Sequence, residues 1–129
     1  MRAIAAMAFA LVALAANAAA AQSLTPMTRS GTTPGGTKGF KLLVGNPYPM
    51  RMTFLVQPLD PGFSEPAPDA VAQPGRVTLA PGHRRSVILA FKIDPLEKER
   101  TIGLCIVPEE FEGPILPRVC GRYTGRLRP

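Results

Sequence analysis

Short runs in which every second residue is apolar recur along the chain, and turn-forming residues separate them. Phe40, Leu42 and Val44 alternate with Lys41, Leu43 and Gly45, the period of a strand with one buried face. Asn46-Pro47-Tyr48-Pro49 stops this run, because proline withholds the N–H that a central strand needs. Met52, Phe54 and Val56 resume the alternation and Pro58 ends it, so the two runs predict a hairpin. From Leu59 to Gly75 the prolines at 61, 66, 68 and 74 exclude any long regular element and predict a loop crossing between two sheets. Val77 and Leu79 mark a short strand closed by Ala80-Pro81-Gly82, with Pro and Gly where such turns favour them. The strongest strand pattern is Val87, Leu89 and Phe91 against Ser86, Ile88 and Ala90, and the charged stretch from Asp94 to Glu99 turns the chain after it.

Two further runs, within Arg100 to Tyr123, flank a Pro- and Glu-rich tip, and each holds one of the two cysteines. Ile102, Leu104 and Ile106 share one face of the first run, while Val119, Gly121 and Tyr123 share one face of the second. Cys105 and Cys120 then fall on the opposite, outer face. Facing residues of a non-hydrogen-bonded antiparallel pair are close enough for a disulfide, so the pattern predicts a hairpin stapled by Cys105–Cys120. Six or seven short strands at this spacing, with no helical period and no internal repeat, predict an all-β antiparallel sandwich of about seven strands over residues 38–129.

The N-terminus changes the compartment. MRAIAAMAFALVALAANAAAAQS has one positive charge at Arg2, an apolar run to about Ala16 and alternating small residues beyond it. This pattern predicts a secretory signal peptide over residues 1–21, cut after Ala21 with Ala18 as the other candidate; the alternative is an uncleaved Ala-rich tether. Residues 22–37, rich in Gly, Ser, Thr and Pro, predict a flexible leader with at most one edge strand around Met27 to Ser30. Export to the periplasm favours a disulfide over free thiols, and no second Cys or His pair is present to complete a zinc shell. Loss of Arg2 leaves 14 basic against 9 acidic residues, a balance of +5 that suits anionic surfaces.

Several of these runs resemble a known family. Gly39-Phe40-Lys41-Leu42-Leu43-Val44 leading to Asn46-Pro47, then Val77-Thr78-Leu79-Ala80-Pro81-Gly82 with basic residues and an apolar strand behind it, then a charged turn ending at Arg100, are similar to the N-terminal immunoglobulin-like domain of periplasmic pilus-assembly (fimbrial) chaperones. The likeness covers roughly residues 38–107. It implies an immunoglobulin-like sandwich, a single-domain relative of two-domain proteins, that handles a pilus or envelope protein client through its sheet edges.

Candidate chemistry is sparse. His83 sits in a turn beside Arg84 and Arg85, with no serine or cysteine nucleophile placed to use it, so no catalysis is expected. Glu109, Glu110 and Glu112 lack the regular oxygen spacing of a calcium loop, which favours a solvated tip, and neither metal nor cofactor is expected. Arg118, Arg122, Arg126 and Arg128 share parity and in an extended strand line one face. With Phe111 at the tip, Arg118, Arg122 and Arg126 are the candidate partner-binding residues, on a final strand read as an open edge. The expected function is a non-enzymatic periplasmic interaction module, chaperone-like or accessory to pilus or envelope assembly. The alternative is a structural sandwich held at an anionic membrane surface by the basic C-terminal face. Few aromatics and export argue against nucleic acid, and no small-molecule substrate is expected.

Overall fold

In the computed structural model, which describes residues 22–129, every regular element among the described residues is a strand. The signal-peptide expectation for residues 1–21 lies outside them. The strands are β1 (Ser23–Thr25), β2 (Thr28–Thr33), β3 (Thr37–Gly45), β4 (Met52–Leu59), β5 (Ala70–Gln73), β6 (Arg76–Leu79), β7 (Arg84–Lys92), β8 (Glu99–Pro108) and β9 (Val119–Leu127). They form a four-stranded sheet, β1-β3-β7-β5, and a five-stranded sheet, β2-β9-β8-β4-β6. The apolar set of each run faces inward. Phe40, Leu42, Val44, Val87, Leu89 and Phe91 from the first sheet meet Phe54, Val56, Ile102, Leu104, Ile106 and Tyr123 from the second, all buried. Burying a side chain of this size contributes about 1.5–3 kcal/mol, which makes this double layer the main source of stability.

Several expectations are corrected. The described residues form nine strands, and β2 runs parallel to β9, Thr28 opposite Arg122 and Thr33 opposite Leu127, so the sandwich is not wholly antiparallel. Residues 22–37 are no loose leader: β1 pairs with β3, and the chain then changes sheets so that β2 borders β9. The edge strand expected around Met27 to Ser30 is β2, but its full extent and its partner are not legible, because five of its six residues are exposed or half-buried and such a strand carries no apolar period. Finally, β3 and β4 are not a hairpin, since β3 pairs with β1 and β7 whereas β4 pairs with β6 and β8. The buried Asn46 side chain shapes this connection into an arch between sheets. Its Nδ2 donates to the carbonyls of Leu79 at 2.8 Å and Met50 at 3.0 Å, and its Oδ1 accepts from the Tyr48 N–H at 3.0 Å. Pro58 does not end β4, which continues to Leu59.

Candidate protein-interaction surface

β8 and β9 pair from Glu99↔Arg126 to Ile106↔Val119, and this register sets Cys105 opposite Cys120. The disulfide forms there, with Cα atoms 4.1 Å apart. It lies on the face away from Ile102, Leu104, Ile106 and Tyr123, as expected, but that face is not open. The segment 60–66 folds back over it, and Cys105 is fully buried. Gly103 makes the approach possible, because a Cβ there would strike the Asp60 carbonyl and the Phe63 ring.

The arginine row holds this cover down. Arg118 Nη1 donates to the Phe63 carbonyl at 2.9 Å and Arg122 Nε to the Pro61 carbonyl at 2.8 Å. The Arg122 guanidinium also lies 4.6 Å from the centre of the Phe63 ring, within cation–π range. Within the loop, the Asp60 carboxylate accepts from the Ser64 N–H at 2.8 Å and from the Ser64 hydroxyl, which holds its pKa below the ordinary value. Arg126 stands apart, paired with Glu99 at 3.1 Å. The three arginines thus share a face without forming one uncommitted patch.

The final strand is not the sheet edge. β9 lies between β8 and β2, so the edge on this side is β2, with Thr28, Arg29, Ser30 and Thr32 exposed. Beside it the gap between the sheets is closed by two cations over Phe40: Lys38 Nζ at 4.9 Å from the ring centre and the Arg29 guanidinium at 5.9 Å. At the start of β9 the connection from β8 carries the largest apolar exposure on this side of the molecule. Ile115 is 78% exposed and Leu116 54%, while Phe111, at 37%, rests on Tyr48 with ring centres 6.3 Å apart. Between this tip and the β3–β4 arch lies a shallow cavity of about 520 Å³, floored by Tyr48, Met50, Met52 and Phe111 and rimmed by Glu109, Glu110 and Glu112. Arg76 binds Glu109 at 2.5 Å and fixes one side of that rim.

Sequence reading did not single out Arg29, Lys38, Ile115, Leu116 or Asn46. The first two meet over Phe40 where the chain passes from β2 in one sheet to β3 in the other, a change of sheet that no local pattern announces. Ile115 and Leu116 were legible as apolar residues amid prolines and glutamates. His83 is exposed in the β6–β7 turn, and among the described residues no group of His, Cys, Asp and Glu is arranged to hold a metal ion. Two tyrosines complete the local chemistry. Burial raises the Tyr48 phenol above its ordinary pKa and pushes Tyr123 up to about 12, and Tyr123 donates to the Pro26 carbonyl at 2.6 Å.

No sequence-family model matches the chain, and no curated protein matches it. Solved structures do share its fold. A chain of the Salmonella enterica SafA pilin–SafB chaperone complex superposes with a TM-score of 0.68 at 15% identity, over 83% of this chain and 54% of that one. The E. coli chaperone DraB gives 0.68 at 15% identity, over 83% and 55%. A PapD-like domain of human CEP192 gives 0.60 at 13% identity, over 83% and 84%. The chain therefore has the immunoglobulin-type PapD-like fold of fimbrial-chaperone N-terminal domains, and it spans about half the length of the chaperones it matches.

Proposed function

We propose that this chain is an exported, non-enzymatic protein-interaction module of the periplasm that receives a strand of a pilus or other envelope protein along the β2 edge and the adjoining β8–β9 tip. The observation that carries this reading is the apolar tip, with Ile115 and Leu116 solvent-exposed, set on the same sheet as the open β2 edge. An unpaired edge offers backbone donors and acceptors to an incoming strand, and exposed apolar side chains beside it supply contact area. Arg29 and Lys38 flank that edge, while Arg118, Arg122 and Arg126 add positive potential across the outer face, so an anionic client is steered toward it. The likeness to chaperones solved with a pilin supports the class of client.

The test is capture from a periplasmic extract with photo-crosslinking at residue 115. The wild-type chain is expected to retain a small set of envelope proteins, and Ile115→Glu with Leu116→Glu to lose them at unchanged folded yield. Recovery of the same proteins by the double variant sinks the reading.

A second reading, a sandwich held at an anionic membrane surface, draws on different residues from those named in the sequence. Lys41, Arg84 and Lys92 point outward from the four-stranded sheet with Leu43 and Ile88 exposed among them. Salt-sensitive co-sedimentation with anionic vesicles, in the absence of any protein client, favours this reading over the first.

A further inference from the structure

Every polar atom of the Gln22 side chain is engaged. Nε2 donates to the carbonyls of Ile106 at 2.7 Å and Pro117 at 2.9 Å, and Oε1 accepts from the Tyr48 hydroxyl at 3.1 Å. The residue is 2% exposed. Ile106 and Val119 form the last pair of the β8–β9 ladder, so this carboxamide sits where the ladder ends and the tip begins. It joins the start of β1, the β3–β4 arch and both feet of the tip in one set of hydrogen bonds.

Gln22 is also the residue that follows the expected cleavage site, with Ala19 and Ala21 in the small-residue positions. Cleavage there gives Gln22 a free α-amine. An N-terminal glutamine reacts with itself. The α-nitrogen attacks Cδ, an N–Cδ bond forms, the Cδ–Nε2 bond breaks, and Nε2 departs as ammonia with the proton released by the amine. The product is the pyroglutamyl lactam, and no oxidant, reductant or cofactor enters the balance. In this fold the reaction is opposed by geometry. Ring closure needs Cδ folded back onto its own backbone nitrogen, whereas the carboxamide is held outward by carbonyls of β8 and the tip. The lactam has no side-chain NH₂, so the Ile106 and Pro117 carbonyls lose their donor, and an acceptor left unpaired in a buried site is destabilising.

We propose that Gln22 is a modification site gated by folding: a chain that folds first keeps its carboxamide and an ordered tip, and a chain that cyclises first lacks this latch and has a loosened tip. The inference rests on the reading of export and cleavage after Ala21. Because the tip is the surface assigned to client binding, cyclisation becomes a covalent control on that surface.

Intact-mass measurement on full chain exported to the periplasm is expected to find Gln22 first, with its ammonia retained. During later incubation, the loss of one ammonia should be at least about tenfold slower in native buffer than in guanidinium, since only locally opened molecules react. After removal of denaturant, the cyclised protein should exchange amide hydrogens faster across residues 107–118. Gln22→Met, which cannot cyclise and has no donor, should show the same faster exchange. An N-terminus other than Gln22 removes the site and overturns the proposal while leaving the client surface untouched. Equal cyclisation rates in the two buffers, or unchanged exchange in both the cyclised protein and Gln22→Met, overturn it as well.

Discussion

Gly103 is where the outer face of the five-stranded sheet meets the segment folded over it. With hydrogen in place of a side chain, β8 admits the Asp60 carbonyl and the Phe63 ring, the latter 2.7 Å from where a Cβ would stand. Gly103→Ala is therefore expected to lift segment 60–66 and lower stability by about 1–3 kcal/mol, the usual cost of overpacking, as read from chemical denaturation. Since that segment lies over the face that carries the buried Cys105, the same variant should also reduce faster with dithiothreitol under native conditions. Unchanged reduction would show that the cover opens freely on its own. Tyr123 makes a second test at this scale. Its phenol is buried and its pKa is raised to about 12 from 10.0, so the neutral form is the one the fold favours. That stabilisation is complete below the unfolded value near 10 and is lost as pH rises toward about 12. Tyrosinate absorbance should accordingly show one of the two tyrosines ionising late, toward about pH 12 and with falling stability, and Tyr123→Phe should delete that late step.

At the scale of elements, what was legible followed the buried period. β3, β4, β6, β7, β8 and β9 each carry an apolar set on one face, and each was placed from it; the Cys105–Cys120 pairing followed from the parity of the β8 and β9 runs. β1 and β5 escaped, and β2 was legible only as an edge strand around Met27 to Ser30, because these are short border strands with one buried residue each, held by backbone pairing that leaves little mark in side-chain type. The arch between β3 and β4 was misread for a related reason. Asn46 fits a turn in either case, and only its bonds to Leu79 and Met50 decide that the chain leaves the sheet. The disulfide belongs to this scale, since it closes the long β8–β9 connection over a sequence separation of 15. Cys120→Ser should lower stability by about 3 kcal/mol, within the range for loops of this length, without changing the circular dichroism of the native state. The inward set Ile102, Leu104, Ile106 and Tyr123 remains packed. A variant that fails to fold at all would assign the hairpin far more dependence on the staple than its apolar burial implies.

Over the whole molecule, positive charge does two kinds of work, and one substitution series separates them. By sequence parity, Arg118, Arg122 and Arg126 line a single face, and if all three were merely exposed their reversal would change stability by no more than about 1 kcal/mol. The fold divides that face. Arg122 both donates to the Pro61 carbonyl and stacks on Phe63, so Arg122→Glu removes a hydrogen bond and a cation–π contact and should cost about 1–2 kcal/mol. Arg126 makes one ion pair with Glu99, and both side chains are about half exposed. Such pairs contribute about 0–1 kcal/mol, so Arg126→Glu should leave the unfolding midpoint nearly unchanged. Against an anionic client the ordering inverts in what is informative. Exposed charges act chiefly on association rate and are screened over roughly 8 Å at physiological ionic strength. Arg126→Glu should therefore slow association at low salt, with the difference fading as salt is raised and dissociation unaltered. Arg122→Glu should slow association likewise and, by loosening segment 60–66, also alter dissociation. Surface-based kinetics at two ionic strengths distinguish these patterns. If Arg126→Glu binds at the wild-type rate even at low salt, the charge on this face is solvated surface, and client recognition belongs to the β2 edge and the apolar tip alone.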